Sequence, residues 1–187
     1  LTGAQIATLA AEGNGIAFTW SGGGAAGVWA DDANWSGPAG YPDDANDKAV
    51  IAATAISIST VGAITIGELQ LNAGFTGTLT LGGNLTIDNA GKQNGSLTIA
   101  AGTLTDGGYT INIDGNYSKT GGTLTATGAI DFTRASGTQT FASGGTTAND
   151  DFYSLTHSGA GTLSVITNDL KVSGGKFTNS AGAFDLT

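Results

Sequence analysis

Two acid clusters early in the chain are the residues whose types and spacing best suit chemistry. Asp31, Asp32 and Asn34 form one, and Asp43, Asp44 and Asp47 form the other. Ca²⁺ takes about six to eight oxygen ligands, which closely spaced Asp and Asn side chains can supply together with backbone carbonyls. The spacing lacks the central Gly and terminal Glu of an EF-hand loop. These six residues are candidate calcium ligands. The competing reading is that they build Asx-turns in a long loop. The sequence implies no other cofactor.

Trp20, Trp29, Trp35 and Tyr41 lie in the same region. They suit either an aromatic platform for sugars or an apolar plug at the end of a regular fold. His157 is the only His, flanked by Thr156 and Ser158. A nucleophilic arrangement with Ser154 or Ser158 would need an Asp partner and a nucleophile elbow. No elbow motif is present, and His157 is expected in an exposed turn. Arg134 with Asp131 and Asp114 would suit the groove of a polysaccharide lyase, but that chemistry needs acids and bases converging on one site. One Arg and five scattered Lys do not provide it, so no catalytic residue is assigned and no enzyme is expected.

Thr-x-Thr pairs occur at Thr78/Thr80, Thr103/Thr105, Thr123/Thr125 and Thr138/Thr140. Aligned on one face they would form a flat array able to order water, as in ice-binding solenoids. The pair starts are 25, 20 and 15 residues apart, which argues against a single straight ladder. The plainer account is that Thr, β-branched and polar, fills outward strand positions.

The elements that must position these residues follow from composition. The 187 residues include 32 Gly and 28 Thr, but only 6 Lys and Arg, 2 Glu and no Met, which excludes a helical protein. From Val50 onward, short alternating runs such as Leu97-Thr98-Ile99 and Thr103-Leu104-Thr105 are separated by Gly-rich corners. Period two over three to five residues predicts strands with one buried face. The apolar anchors Leu97, Leu104, Ile111, Leu124 and Ile130 mostly recur every six or seven residues, so three strands and three corners make a coil of about 20 residues. The expected fold is all-β: a parallel β-solenoid, or β-helix, with an irregular aromatic N-terminal cap.

Two units are expected: residues 1–50 as an N-terminal strand with a Trp-rich acidic cap, and residues 51–187 as the solenoid. Within the second, 71–87 resembles 155–172 and 122–133 resembles 175–187. The sequence stops on a coil with no polar cap, so either it is a segment of a longer chain or another copy covers an exposed edge there, formed by Phe184 and Leu186. Leu1, Ile6 and Leu9 would contribute an added strand on another subunit or a first coil of their own.

Net charge is −9 with 11 % charged residues, and no Lys or Arg neighbours another. Nucleic acid is excluded as a partner, since its affinity needs clustered cations. No apolar run approaches the roughly 18 residues of a membrane span. The absence of Cys suits export, and the lack of any Met suggests a processed chain that has lost a signal peptide.

The segments Phe18-Thr19-Trp20, Gly27-Val28-Trp29, Asn34-Trp35-Ser36 and Pro42-Asp43-Asp44, followed by an Ala/Val/Ile run, resemble the N-terminal cap of autotransporter-associated bacterial surface proteins. The later Gly-Thr-Leu-Thr and Gly-Asn-Leu-Thr-Ile segments are similar to their β-helical repeats. The resemblance implies an extracellular or cell-surface adhesin, sheath or filament component. The functional expectation is thus a non-enzymatic structural protein that self-assembles through exposed β-edges into a homo-oligomer, filament, fibre or stalk. The alternatives are an adhesin module binding glycans or host proteins and, more remotely, an ice-binding solenoid.

Overall fold

A computed structural model describes residues 15–90, 93–145, 147 and 149–186. Leu1, Ile6 and Leu9 lie outside the described residues. Strand β1 (Ile16–Trp20) opens the stack, with β2 (Trp35–Ser36) antiparallel beside it. Coil one contains β3 (Asp47–Ile51), β4 (Ile58–Ser59) and β5 (Ile64–Ile66), and coil two β6 (Glu68–Leu71), β7 (Thr78–Thr80) and β8 (Leu85–Ile87). Coil three contains β9 (Leu97–Ile99), β10 (Thr103–Thr105) and β11 (Ile111–Ile113), and coil four β12 (Tyr117–Lys119), β13 (Thr123–Thr125) and β14 (Ala129–Phe132). Coil five holds β15 (Thr138–Ala142) and β16 (Ser154–His157), and coil six β17 (Thr162–Thr167) and β18 (Phe177–Asn179); β19 (Ala183–Leu186) begins the next turn.

These strands form three sheets, of nine, four and six strands among the described residues. All pairing between successive coils is parallel and in near-perfect register, so the chain is a β-solenoid of about six turns. Coil length varies: 20 residues from Ala49 to its partner Leu69, 28 from Leu69 to Leu97, and 20 from Leu97 to Tyr117. Strand length barely changes, so the extra residues sit in corners.

The alternation in sequence becomes stacked columns inside the tube. Ile58, Leu79, Leu104 and Leu124 form one, and Ile64, Leu85, Ile111, Ile130 and Leu155 another. All are buried except Ile64, which is partly so. Burying each such side chain contributes about 1.5–3 kcal/mol, which offsets the entropy of ordering a chain rich in Gly. At the corner between first and second strands, Gly102 and Gly122 adopt φ of +69° and +64°. A Cβ on Gly122 would lie 2.5 Å from the Gly102 carbonyl oxygen, so stacked corners approach too closely for any side chain.

Two expectations about organisation change. The strand β1 belongs to the same sheet as β3 and pairs with it in parallel, so the coil stack begins well before residue 50. The irregular stretch 21–46 is an elaborated loop within that first turn. The internal similarity also has a different unit. Leu79 lies on the four-stranded sheet while its counterpart Leu163 lies on the nine-stranded one. What recurs is a strand, a corner and the next strand, two sides of the coil rather than a full turn.

Candidate functional site

The acids of the first turn bond mainly to their own loop. Asp31 caps a 3-10 turn at Asp32–Asn34, its Oδ1 accepting from Ala33 N at 3.1 Å and its Oδ2 from Ala25 N at 2.6 Å. Asn34 is buried; its Oδ1 accepts from Gly24 N, and its amide donates to the Ala25 and Val28 carbonyls. The Asp47 Oδ2 accepts from Asp43 N at 2.9 Å and Asp44 N at 3.2 Å, and Asp44 accepts from Asn46 N. These are Asx-type contacts. Burial, then the charges of Asp44 and Asp32, push the Asp43 carboxyl above its ordinary range. Burial likewise raises Asp47, against the two amides that lower it. Among the described residues, no group of three or more His, Cys, Asp or Glu side chains is placed to hold a metal ion.

The three Trp rings are at most 6 % exposed and pack edge to face, with centroids 5.1 Å apart for Trp20 and Trp35 and 4.7 Å for Trp29 and Trp35. The Trp29 Nε1 donates to the Pro42 carbonyl and the Trp35 Nε1 to the Trp29 carbonyl. Their faces pack inside the first turn, leaving none open for a sugar, and Tyr41 is half-buried against them. This packing fills the interior of the first described turn.

His157 does not lie in an exposed turn. It occupies an inward position of β16, fully buried, in the column Ile66, Ile87, Ile113, Phe132, His157 and Asn179. Its Nδ1 is 2.8 Å from Asn179 Oδ1, while its Nε2 is buried without a hydrogen-bond partner. Asp131 and Ser158 pair outside the wall, the Ser158 Oγ donating to both carboxylate oxygens at 2.9 Å. Strand alternation puts His157 and this pair on opposite faces of one sheet, which precludes a triad. Arg134 donates through Nε to the Asp114 carbonyl rather than to a carboxylate, and Ser154 Oγ accepts from Lys176 N.

The Thr pairs align better than their spacing predicts. Thr78, Thr103 and Thr123 are in register, as are Thr80, Thr105 and Thr125, giving three stacked pairs on the outer face of the four-stranded sheet. Ser59 extends the second row below Thr80. Only Thr138/Thr140 falls elsewhere, on the nine-stranded sheet, paired with Thr162 and Ser164. The irregular spacing is absorbed by corners of different length.

The upper edge is apolar. Leu186 stands over Val165 in an inward column but is 70 % exposed, and Phe184 stands over Leu163. Together with Leu170, Val172 and Phe177 these residues line an open hollow of about 630 Å³. The Phe177 and Phe184 rings pack against each other, 4.5 Å between centroids.

Sequence reasoning missed a second set of residues that tie coils together. Asp106, fully buried, accepts from Gly108 N in its own coil and from Thr127 N, Thr127 Oγ1 and Gly128 N in the next. Gln139, also buried, donates to the Ile113 and Gly115 carbonyls. Lys119 forms an interior ion pair with Asp150. The signal was present: Lys119 stands two residues after Tyr117, where Leu97-Thr98-Ile99 places Ile99 inward. Neither family models, nor curated proteins, nor solved structures yield a match to this chain.

Proposed function

We propose that this chain is a non-enzymatic structural rod that associates through the open edge of its last described coil. The observation that carries it is the uncovered apolar cross-section at Leu186, Phe184, Phe177 and Leu170, beside the free strand edge of β19. The partner is a second copy of this chain, because only another coil offers both an apolar column and a matching row of backbone donors and acceptors. At the other end of the described stack, β2 pairs with part of β1 and the Trp rings fill the interior, which supports pairing of two upper edges in an isologous dimer. Extension into a filament requires a second edge, the role expected of Leu1, Ile6 and Leu9. A Cys-free chain so poor in cations fits an extracellular or cell-surface setting. Sedimentation and electron microscopy across a concentration series test this. The expected result is end-to-end particles that revert to monomers with Leu186→Asp at unchanged circular dichroism. A wild-type chain that stays monomeric at its highest soluble concentration overturns it.

The Thr array favours a second reading. Three in-register pairs on a regular sheet offer repeating hydroxyls and methyls to water, so weak ice affinity is its expected property. Thermal hysteresis that disappears with Thr103→Tyr would support this; no hysteresis in the wild type rules it out.

A further inference from the structure

The interior of coils four and five holds an amine and a carboxyl in direct contact, besides the buried Gln139 and His157. Lys119 takes the inward position that Ile51, Leu71 and Ile99 hold in the three coils below. Its side chain is 3 % exposed and that of Asp150 8 %, and Nζ donates to Asp150 Oδ1. The Asn149 carbonyl accepts from Leu124 N, so this segment lies against β13 and the pair joins two neighbouring walls of the tube. Aromatic rings crowd this region: Tyr117, Phe141 and Phe152 have centroids 5.2 to 5.6 Å apart. The backbone closes over the pair at Gly144, where a Cβ would lie 3.0 Å from both Asp150 Oδ1 and Lys119 Cγ. Thr147 Oγ1 donates to the other carboxylate oxygen, and the buried Tyr117 hydroxyl has no hydrogen-bond partner.

We propose that Lys119 and Asp150 condense into an intramolecular isopeptide bond that staples coil four to coil five. The amine and carboxyl are already in contact, held by two walls of a rigid tube, which supplies the proximity an amide-forming step needs. Water exclusion favours the reaction twice. It disfavours the separated charges relative to a neutral amine and acid, and it favours release of water as product. Burial pushes the Asp150 carboxyl up, but the hydrogen bonds from Lys119 and Thr147 and the Lys119 charge outweigh it and hold it below its ordinary range. Transfer of one proton along the existing hydrogen bond gives the neutral pair. The Nζ lone pair then attacks Asp150 Cγ, a C–N bond forms, and the C–O bond to one carboxyl oxygen breaks. A second Nζ proton passes to the departing oxygen, with the Thr147 hydroxyl placed to relay it. Ammonium plus carboxylate become one amide and one water, so atoms and charge balance without any further reactant.

Intact-mass measurement of the denatured full chain decides the matter. The expected mass is below the sequence mass by one water, and protease digestion should yield a branched peptide joining Lys119 to Asp150. Lys119→Met, whose side chain suits the aliphatic column, and Asp150→Ala should each restore the sequence mass. An unmodified wild-type mass overturns the proposal and leaves an ion pair. So does a one-water deficit that persists in Lys119→Met, because dehydration at an Asp-Gly step such as Asp106-Gly107 would then account for it. The wild-type readout requires no variant to fold.

Discussion

Replacing Asp106 by alanine should uncouple the lower half of the tube from the upper half. The carboxylate holds three backbone donors and one hydroxyl, at 2.9 Å from Gly108 N and 3.0 to 3.1 Å from Thr127 N, Thr127 Oγ1 and Gly128 N. Hydrogen bonds to a charged group contribute about 1.5–3 kcal/mol each, but the donors lie at an outer corner, where water can replace part of what is lost. Allowing about 1 kcal/mol per backbone donor, Asp106→Ala costs about 3 kcal/mol. Thr127→Ala, which removes only the hydroxyl, costs about 1 kcal/mol. Asp106→Asn falls between them, since it keeps one acceptor but turns an amide donor towards the remaining N–H groups. Stability in a solenoid is a sum over neighbouring coils, so this loss falls on the interface between coils three and four. All three Trp lie in the first turn, so their fluorescence reports the lower end while circular dichroism reports every strand. In urea the wild type should give coincident transitions; in Asp106→Ala the dichroism should begin to fall before the fluorescence changes. A variant that loses less than about 1 kcal/mol with both probes still coincident would refute the assignment of Asp106 as an inter-coil clamp.

The acid loop makes two further predictions. Burial and the neighbouring Asp44 and Asp32 charges raise the Asp43 carboxyl above its ordinary value of 3.8, so the folded chain binds that proton more tightly than the unfolded chain does. Its charge therefore opposes folding at neutral pH, and the penalty is relieved as pH falls through the raised folded value towards 3.8. Asp43→Asn should raise Tm at neutral pH, with the gain vanishing below 3.8; an unchanged Tm at neutral pH counts against this account. Because Asp31 and Asp47 already accept backbone amides within the loop, calcium and chelator should give the same melting curve. A stabilisation that saturates with added calcium would return these acids to metal binding.

How much of the fold was legible depended on whether a residue's neighbours lie near it in sequence. The strands Leu97–Ile99, Thr103–Thr105 and Ile111–Ile113 were readable from period two alone, and their columns follow because a parallel solenoid places like on like. The Thr ladder was not readable, because sequence spacing counts corner residues while register counts strands. His157 reads in sequence as a turn residue, since it follows Thr156 and precedes Ser158 and Gly159. Its Asn179 partner lies one coil away, at a distance that sequence does not encode. Asp106 was invisible for a related reason. A lone Asp before two glycines is an ordinary turn signal, and nothing local says that Thr127 and Gly128 arrive above it.

Asp47 in coil one aside, the polar residues turned inward by the strands gather in the upper coils, and that bears on how the coils hold together. In coils one to three, the two inward columns of the nine-stranded sheet carry Ala49, Ile51, Leu69, Leu71, Leu97 and Ile99. Above them stand Tyr117, Lys119 and Phe141; Gln139 turns inward two residues before Phe141, and the third sheet adds His157. Aliphatic columns forbid a one-residue slip, which would turn them outward, but after a two-residue shift one apolar residue still stacks on another. A buried Lys119 must find Asp150, and Gln139 must find the Ile113 and Gly115 carbonyls, so any other stacking leaves a charge or an amide stranded. The upper coils thus trade generic burial for pairings that permit one register. These are the coils next to the open edge, where an in-register surface is what a second copy would have to match.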